Sequence, residues 1–125
     1  MPASRPSHIL IVEDNQLVID ALTIVFDASG RRVVGARSIA EALAMTDTDP
    51  AALVLLDLGL PDGDGLSLIG PLRGAGCMVV ALTGDDDPGK RQRCLDAGCL
   101  DVLVKPVAVK KLMSLAEQWI DRRPD

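Results

Sequence analysis

The residues with the clearest chemical potential stand where runs of apolar residues stop. Glu13 and Asp14 follow Ile9-Leu10-Ile11-Val12, Asp57 follows Ala51 to Leu56, Thr83 follows Cys77 to Leu82, and Lys105 follows Leu100 to Val104. Taken singly, a carboxylate after an apolar run is an ordinary turn or helix-capping residue. Together they form a set of three carboxylates, a hydroxyl and an ammonium. Clustered carboxylates repel one another and call for a cation. An all-oxygen site in an open cleft favours Mg²⁺, which keeps part of its water shell and accepts a phosphate oxygen. A carboxylate is also a nucleophile toward phosphorus once its repulsion with the phosphate is neutralised. Mg²⁺ and Lys105 would supply positive charge, Thr83 a hydrogen bond to a phosphoryl oxygen, and the Gly59 carbonyl a further metal ligand.

These groups can meet only if the elements that carry them lie side by side. The apolar runs are short and, apart from Asp101 in the last, unbroken, as expected of strands buried on both faces of a parallel sheet. Helical patterns alternate with them. Polar residues Gln16, Asp20, Thr23 and Asp27 mark a narrow stripe on a helix from Gln16 to Ser29 that otherwise presents a wide apolar face, and Gly30 closes it. Arg31 to Ala36 reads as a second strand. Ser38 and Glu41 have capping-box spacing before a helix that ends at Asp49-Pro50. Gly59, Pro61, Gly63 and Gly65 make the next segment a loop, followed by a short helix from Leu66 to about Arg73. Pro88 and Gly98 bracket a fourth helix. The last helix aligns Val109, Leu112, Met113, Ala116, Trp119 and Ile120 on one face.

Five strand–helix alternations imply an α/β three-layer sandwich: a parallel sheet covered on both faces through right-handed crossovers. The pattern alone leaves strand order open, although five units are consistent with the flavodoxin-like order 2-1-3-4-5. In such sheets ligands bind beyond the carboxyl ends of the strands, which is where Glu13, Asp14, Asp57, Thr83 and Lys105 stand.

Composition narrows the function further. The 125 residues fit one domain, read as 8–121 with short tails at 1–7 and 122–125. Phe26 and Trp119 are the only aromatics, so the core is aliphatic. A net charge of −5 disfavours direct nucleic-acid binding, and Lys90, Arg91 and Arg93 read as a solvated helix face. Cys77, Cys94 and Cys99 lack metal-site or disulfide spacing and read as reduced core filler. No apolar run approaches the roughly 18 residues of a membrane span, and Met1 to Ser7 does not resemble a signal peptide. The expectation is a cytoplasmic protein with no membrane partner.

The motifs Val12-Glu13-Asp14-Asn15, Leu56-Asp57-Leu58-Gly59-Leu60-Pro61, Asp64-Gly65, Ala81-Leu82-Thr83-Gly84 and Val104-Lys105-Pro106 occur in order and span nearly the whole chain. In this the sequence resembles the receiver domains of response regulators, the CheY-like superfamily. The resemblance implies the 2-1-3-4-5 sheet with five helices, phosphorylation on Asp57, and Mg²⁺ held by Asp14, Asp57 and the Gly59 carbonyl, with Glu13 supporting it through water. It also implies Thr83 as the switch hydroxyl, Lys105 on the phosphoryl group, and a cis Lys105-Pro106 bond. The donor would be a histidine kinase or histidine phosphotransfer domain acting on Asp57 from outside, because His8 precedes the first strand. Arg91 to Gly98, Leu112 and Trp119-Ile120 look most like receivers of hybrid histidine kinases. Such a domain catalyses its own phosphotransfer and slow dephosphorylation, without turnover of a separate substrate.

The sequence departs from the family at Val102 and Val107, where an aromatic is usual, so the aromatic switch is missing. Leu115 replaces an arginine that supports dimers in the winged-helix class, which favours a monomer. Two further readings compete. One is a degenerate receiver serving as an unphosphorylated interaction module. The other is a phosphatase of the haloacid dehalogenase kind, which wants an aspartate where Gly59 stands. FMN binding fits poorly, since Glu13-Asp14 occupies the place of a phosphate-binding loop. Leu17, Val18 and Ala21 are either core packing or part of a docking surface for the phosphodonor.

Overall fold

In the computed structural model, residues 8–121 are described, and both expected tails lie outside them. The strands are β1 (Ile9–Val12), β2 (Val33–Ala36), β3 (Leu53–Asp57), β4 (Gly59–Leu60), β5 (Gly63–Asp64), β6 (Met78–Thr83) and β7 (Asp101–Val104). The helices are α1 (Gln16–Asp27), α2 (Ile39–Thr48), α3 (Leu66–Gly74), α4 (Pro88–Ala97) and α5 (Val109–Ala116), the last continued by a π-helical turn, Glu117–Asp121. Five strands form one parallel sheet in the order β2-β1-β3-β6-β7. Counting sheet strands alone, this is the order 2-1-3-4-5. The short strands β4 and β5 form a separate antiparallel hairpin within the segment read as a loop.

Period-two alternation divides the sheet between two cores. Leu10, Val12, Val54 and Leu56 pack with α2, α3 and α4 through Ala42, Leu68, Ile69, Leu72 and Cys94. Ile9, Ile11, Leu53 and Leu55 face the other way, against Ile19 and Phe26 of α1 and Leu112, Leu115 and Ala116 of α5. Since both faces are covered, the central strands β1, β3 and β6 are apolar up to their carboxyl ends.

The helix ends follow local chemistry. Asn15 and Ser38 cap α1 and α2, Asp87 caps α4 with Pro88 in the first turn, and Gly98 ends α4 with φ at +119°. That left-handed backbone suits glycine because it lacks a Cβ.

Two expectations need correction. Helix α1 ends at Asp27 rather than Ser29, and its wide apolar face is only partly used: Ile19 and Phe26 are buried, whereas Leu17 and Ile24 are 76% and 70% exposed. A helix against a flat sheet covers only one stripe, so apolar residues flanking that stripe stay in water. In α5, Val109 is exposed while Leu115 is buried, so the core face is rotated from the one expected. Trp119 and Ile120 still reach the core through the π-helical turn.

Candidate functional site

Register brings the polar residues together. Val12 pairs with Leu56, which sets Glu13 level with Asp57. Asp57 pairs with Leu82, one residue before Thr83. Thr83 pairs with Val104, one residue before Lys105. All of them therefore project from the same end of the sheet.

One carboxylate oxygen from each of Glu13, Asp14 and Asp57 falls within a cluster spanning no more than 4.8 Å. Glu13 is buried, Asp57 half-buried and Asp14 exposed, so the cluster opens to solvent on one side. Lys105 Nζ lies 3.1 Å from Glu13 Oε2 and 3.3 Å from Asp57 Oδ1. Glu13 Oε1 accepts from the Asn15 backbone N–H at 3.2 Å. Burial pushes the Glu13 carboxyl above its usual range, against the pull of its hydrogen bond with Lys105. Burial alone would depress the Lys105 ammonium, but the Glu13 hydrogen bond and the two negative charges outweigh it and hold its pKa above the ordinary lysine value.

The surrounding backbone is tightly held. Gly59 N–H donates to Asp57 Oδ1 at 3.2 Å. At Gly65 a Cβ would lie 2.9 Å from both the Asp57 carbonyl oxygen and Leu58 Cα, so a side chain there would displace the backbone that carries Asp57. Thr83 is buried, and its hydroxyl oxygen accepts from Asp85 N–H at 3.3 Å, leaving its own hydrogen free to donate. The Lys105–Pro106 peptide is cis.

Three contributors were not anticipated. Arg37 donates from Nε and Nη2 to the Asp14 carbonyl at 3.1 and 3.0 Å, steadying the acidic loop. Asp62 accepts from the first backbone N–H groups of α2. Arg91, read as solvated, donates to the Val102 carbonyl at 2.7 Å and pairs with Asp101 at 3.3 Å, while Asp101 also accepts from Val102 N–H at 2.8 Å. The two side chains thus satisfy both backbone groups of Val102 on β7, the last strand of the sheet. Sequence carried no direct signal for the Arg37, Asp62 and Arg91 contacts, whose partners lie 10 to 23 residues away; only the Asp101–Val102 bond joins neighbours in the chain.

The three buried cysteines are free thiols, each raised by burial, in keeping with core filling. Among the described residues no helix is long and apolar enough to cross a membrane. Leu115 is buried in the core.

Residues 9–117 match the family described as the response regulator receiver domain. The chain belongs to that family. Among curated relatives, this receiver is 35% identical over 109 residues to the KDP operon transcriptional regulatory protein KdpE of Escherichia coli, covering 86% of this chain and 48% of the relative. It is 36% identical over 116 residues to the transcriptional regulatory protein PmrA of Pectobacterium parmentieri, covering 91% of this chain and 52% of the relative. The receiver thus spans about half the length of these relatives. Its structure also superimposes on a CheY-like receiver domain from Methanospirillum hungatei with a TM-score of 0.87 at 26% identity, covering 94% of this chain and 96% of the other.

Proposed function

We propose that this receiver takes a phosphoryl group from a phosphohistidine onto Asp57 with Mg²⁺ as cofactor. The observation that carries the reading is the grouping of Glu13, Asp14 and Asp57 around a shared space with Lys105 at its edge. The all-oxygen donor set, open on one side, fits Mg²⁺. Asp14, Asp57 and the Gly59 carbonyl would hold the ion, and Glu13 would support it. When bound, Mg²⁺ offsets the repulsion between the Asp57 carboxylate and the incoming phosphoryl oxygens.

An Asp57 oxygen attacks the phosphorus, a P–O bond forms, and the P–N bond to the donor histidine breaks. The electron pair of that bond returns to the imidazole nitrogen. Lys105 pairs with one phosphoryl oxygen, and the free hydrogen of the Thr83 hydroxyl donates to another.

The donor is a histidine kinase or a histidine phosphotransfer domain. Its docking surface includes Leu17, Val18 and Ala21. Leu17 and Ala21 are exposed rather than core residues, and Val18 lines an apolar groove of about 370 Å³ with Leu22, Pro106, Val107 and Leu112 beside Lys105. Adding a phosphotransfer domain should shift α1 amide resonances; shifts confined to other elements would remove this surface from the proposal. For the whole protein, the relatives' names point to transcriptional output through a further region, and a place within a hybrid kinase remains the competing context.

Labelling with acetyl phosphate and Mg²⁺ tests the chemistry. Wild type should take up one phosphoryl group and Asp57→Asn none. Label persisting on the variant would sink the assignment. Because Val102 lacks the usual aromatic, the second reading is an unphosphorylated interaction module, supported if the folded protein binds its partner yet never labels.

A further inference from the structure

The hairpin that follows Asp57 is too short to hold itself in place. Its strands pair only Gly59 with Asp64 and Leu60 with Gly63, and isolated hairpins need more strands or outside packing to be stable. Its base is fixed by Gly65 N–H donating to the Leu58 carbonyl at 3.1 Å and by Gly59 N–H donating to Asp57 Oδ1. Leu60 is anchored in the core.

The tip is held by a different element. Asp62 Oδ1 accepts from Ile39 N–H at 2.9 Å and Asp62 Oδ2 from Ala40 N–H at 3.1 Å. Ser38 Oγ takes the next donor, Glu41 N–H, at 3.1 Å. Two side chains therefore satisfy three of the N–H groups that a helix start leaves without internal partners. One of them belongs to α2's own cap, and the other reaches over from the hairpin, 22 or 23 residues away. A Cβ at Gly63 would lie 3.1 Å from Ile39 Cδ1, so the tip rests directly against the first residue of α2. The same bonds hold the exposed Asp62 carboxyl below its usual range.

We infer that Asp62 is a positioning residue: by clamping the hairpin tip to the start of α2, it fixes the Gly59 backbone for the Mg²⁺ site. This rests on the proposed metal reading. The hairpin is then a strap between Asp57 and α2, and releasing one end leaves the Gly59 carbonyl free to turn away from the site.

A helix cap without this role would affect stability alone, so Ser38→Ala is the control, because it weakens the same helix end without touching the hairpin. Mg²⁺ affinity is measured on unphosphorylated protein by isothermal titration, and amide exchange of residues 59–63 on metal-free protein. Asp62→Ala should weaken Mg²⁺ binding about 10-fold, in the range seen when outer supports of metal ligands are removed, and should speed exchange across the hairpin. Ser38→Ala should lower the melting temperature but leave both readouts unchanged. Asp62→Asn, which loses the charge but keeps one acceptor oxygen, should fall between wild type and Asp62→Ala. Equal losses for the Asn and Ala variants would make the effect simple charge removal and overturn the inference, as would equal losses for Ser38→Ala and Asp62→Ala. If wild type binds no Mg²⁺, the metal reading fails, while unchanged exchange in Asp62→Ala would separately refute the clamp.

Discussion

The Lys105 ammonium lies 3.1 Å from Glu13 Oε2 and 3.3 Å from Asp57 Oδ1, so one flexible cation is shared by a buried and a half-buried carboxylate. It partly neutralises the acidic cluster before any metal or phosphoryl group arrives. Engagement with a phosphoryl oxygen would require Lys105 to loosen its hold on Glu13.

Lys105→Ala should therefore act on stability as well as on signalling. Removing the ammonium leaves Glu13 buried without its cation. With the lysine partly exposed, the loss at pH 7 should be about 1 kcal/mol. A carboxyl whose folded pKa is raised binds more protons folded than unfolded in the window above its ordinary value. The deficit of the variant should then shrink as pH falls from 7 toward 5. Urea unfolding at the two pH values checks this. Phosphoryl uptake should persist in the variant with a weakened downstream response.

Gly65→Ala tests how closely the backbone around Asp57 is packed. Both atoms that a Cβ would strike at 2.9 Å belong to the backbone rather than to a movable side chain. The substitution should cost about 2 kcal/mol, as overpacking does, and should slow Asp57 labelling by acetyl phosphate. Thermal unfolding and initial labelling rates measure the two effects.

His8 predicts an acid sensitivity at the opposite end of the sheet. Its side chain is buried, and burial followed by the charge of Arg32 lowers its pKa. Above about pH 6.5 both folded and unfolded forms are neutral and His8 adds no pH dependence. Below that value the unfolded chain takes up a proton that the folded chain refuses. Stability should then fall by at most about 1.4 kcal/mol per pH unit until the folded pKa is reached. His8→Asn should flatten this part of the profile in denaturant titrations between pH 7 and 5.

Arg91→Ala should loosen the link between α4 and β7. Without the guanidinium the Val102 carbonyl loses its 2.7 Å donor, at a cost of about 1 kcal/mol. Faster amide exchange along β7 would register the loss. Arg91→Lys should recover only part of it, because an ammonium cannot span the carbonyl and Asp101 as the planar guanidinium does.

Much of the site was legible because its residues follow their strands directly. An apolar run identifies a buried strand, and the next residue must emerge at its carboxyl end, so Glu13, Asp57, Thr83 and Lys105 could be grouped without coordinates. The helix boundaries marked by Ser38, Pro88 and Gly98 were equally local, being set by capping and turn residues. The exposed flank of α1 and the rotated face of α5 were less legible. An apolar residue is consistent with burial, but only the shape of the neighbouring sheet decides which stripe of a helix it covers.

The sequence by itself determined the alternation of strands and helices, the aliphatic core and the polar groups at one end of the sheet, because each follows from periodicity or from immediate neighbours in the chain. Tertiary structure decided that Lys105 is shared by Glu13 and Asp57, that Asp62 caps a helix from a distant hairpin, and that Arg91 of α4 reaches the Val102 carbonyl of β7. Each of these is a contact between segments far apart in the chain. A charged side chain has many possible partners along the sequence, and only the packed sheet and helices bring one of them within hydrogen-bonding distance.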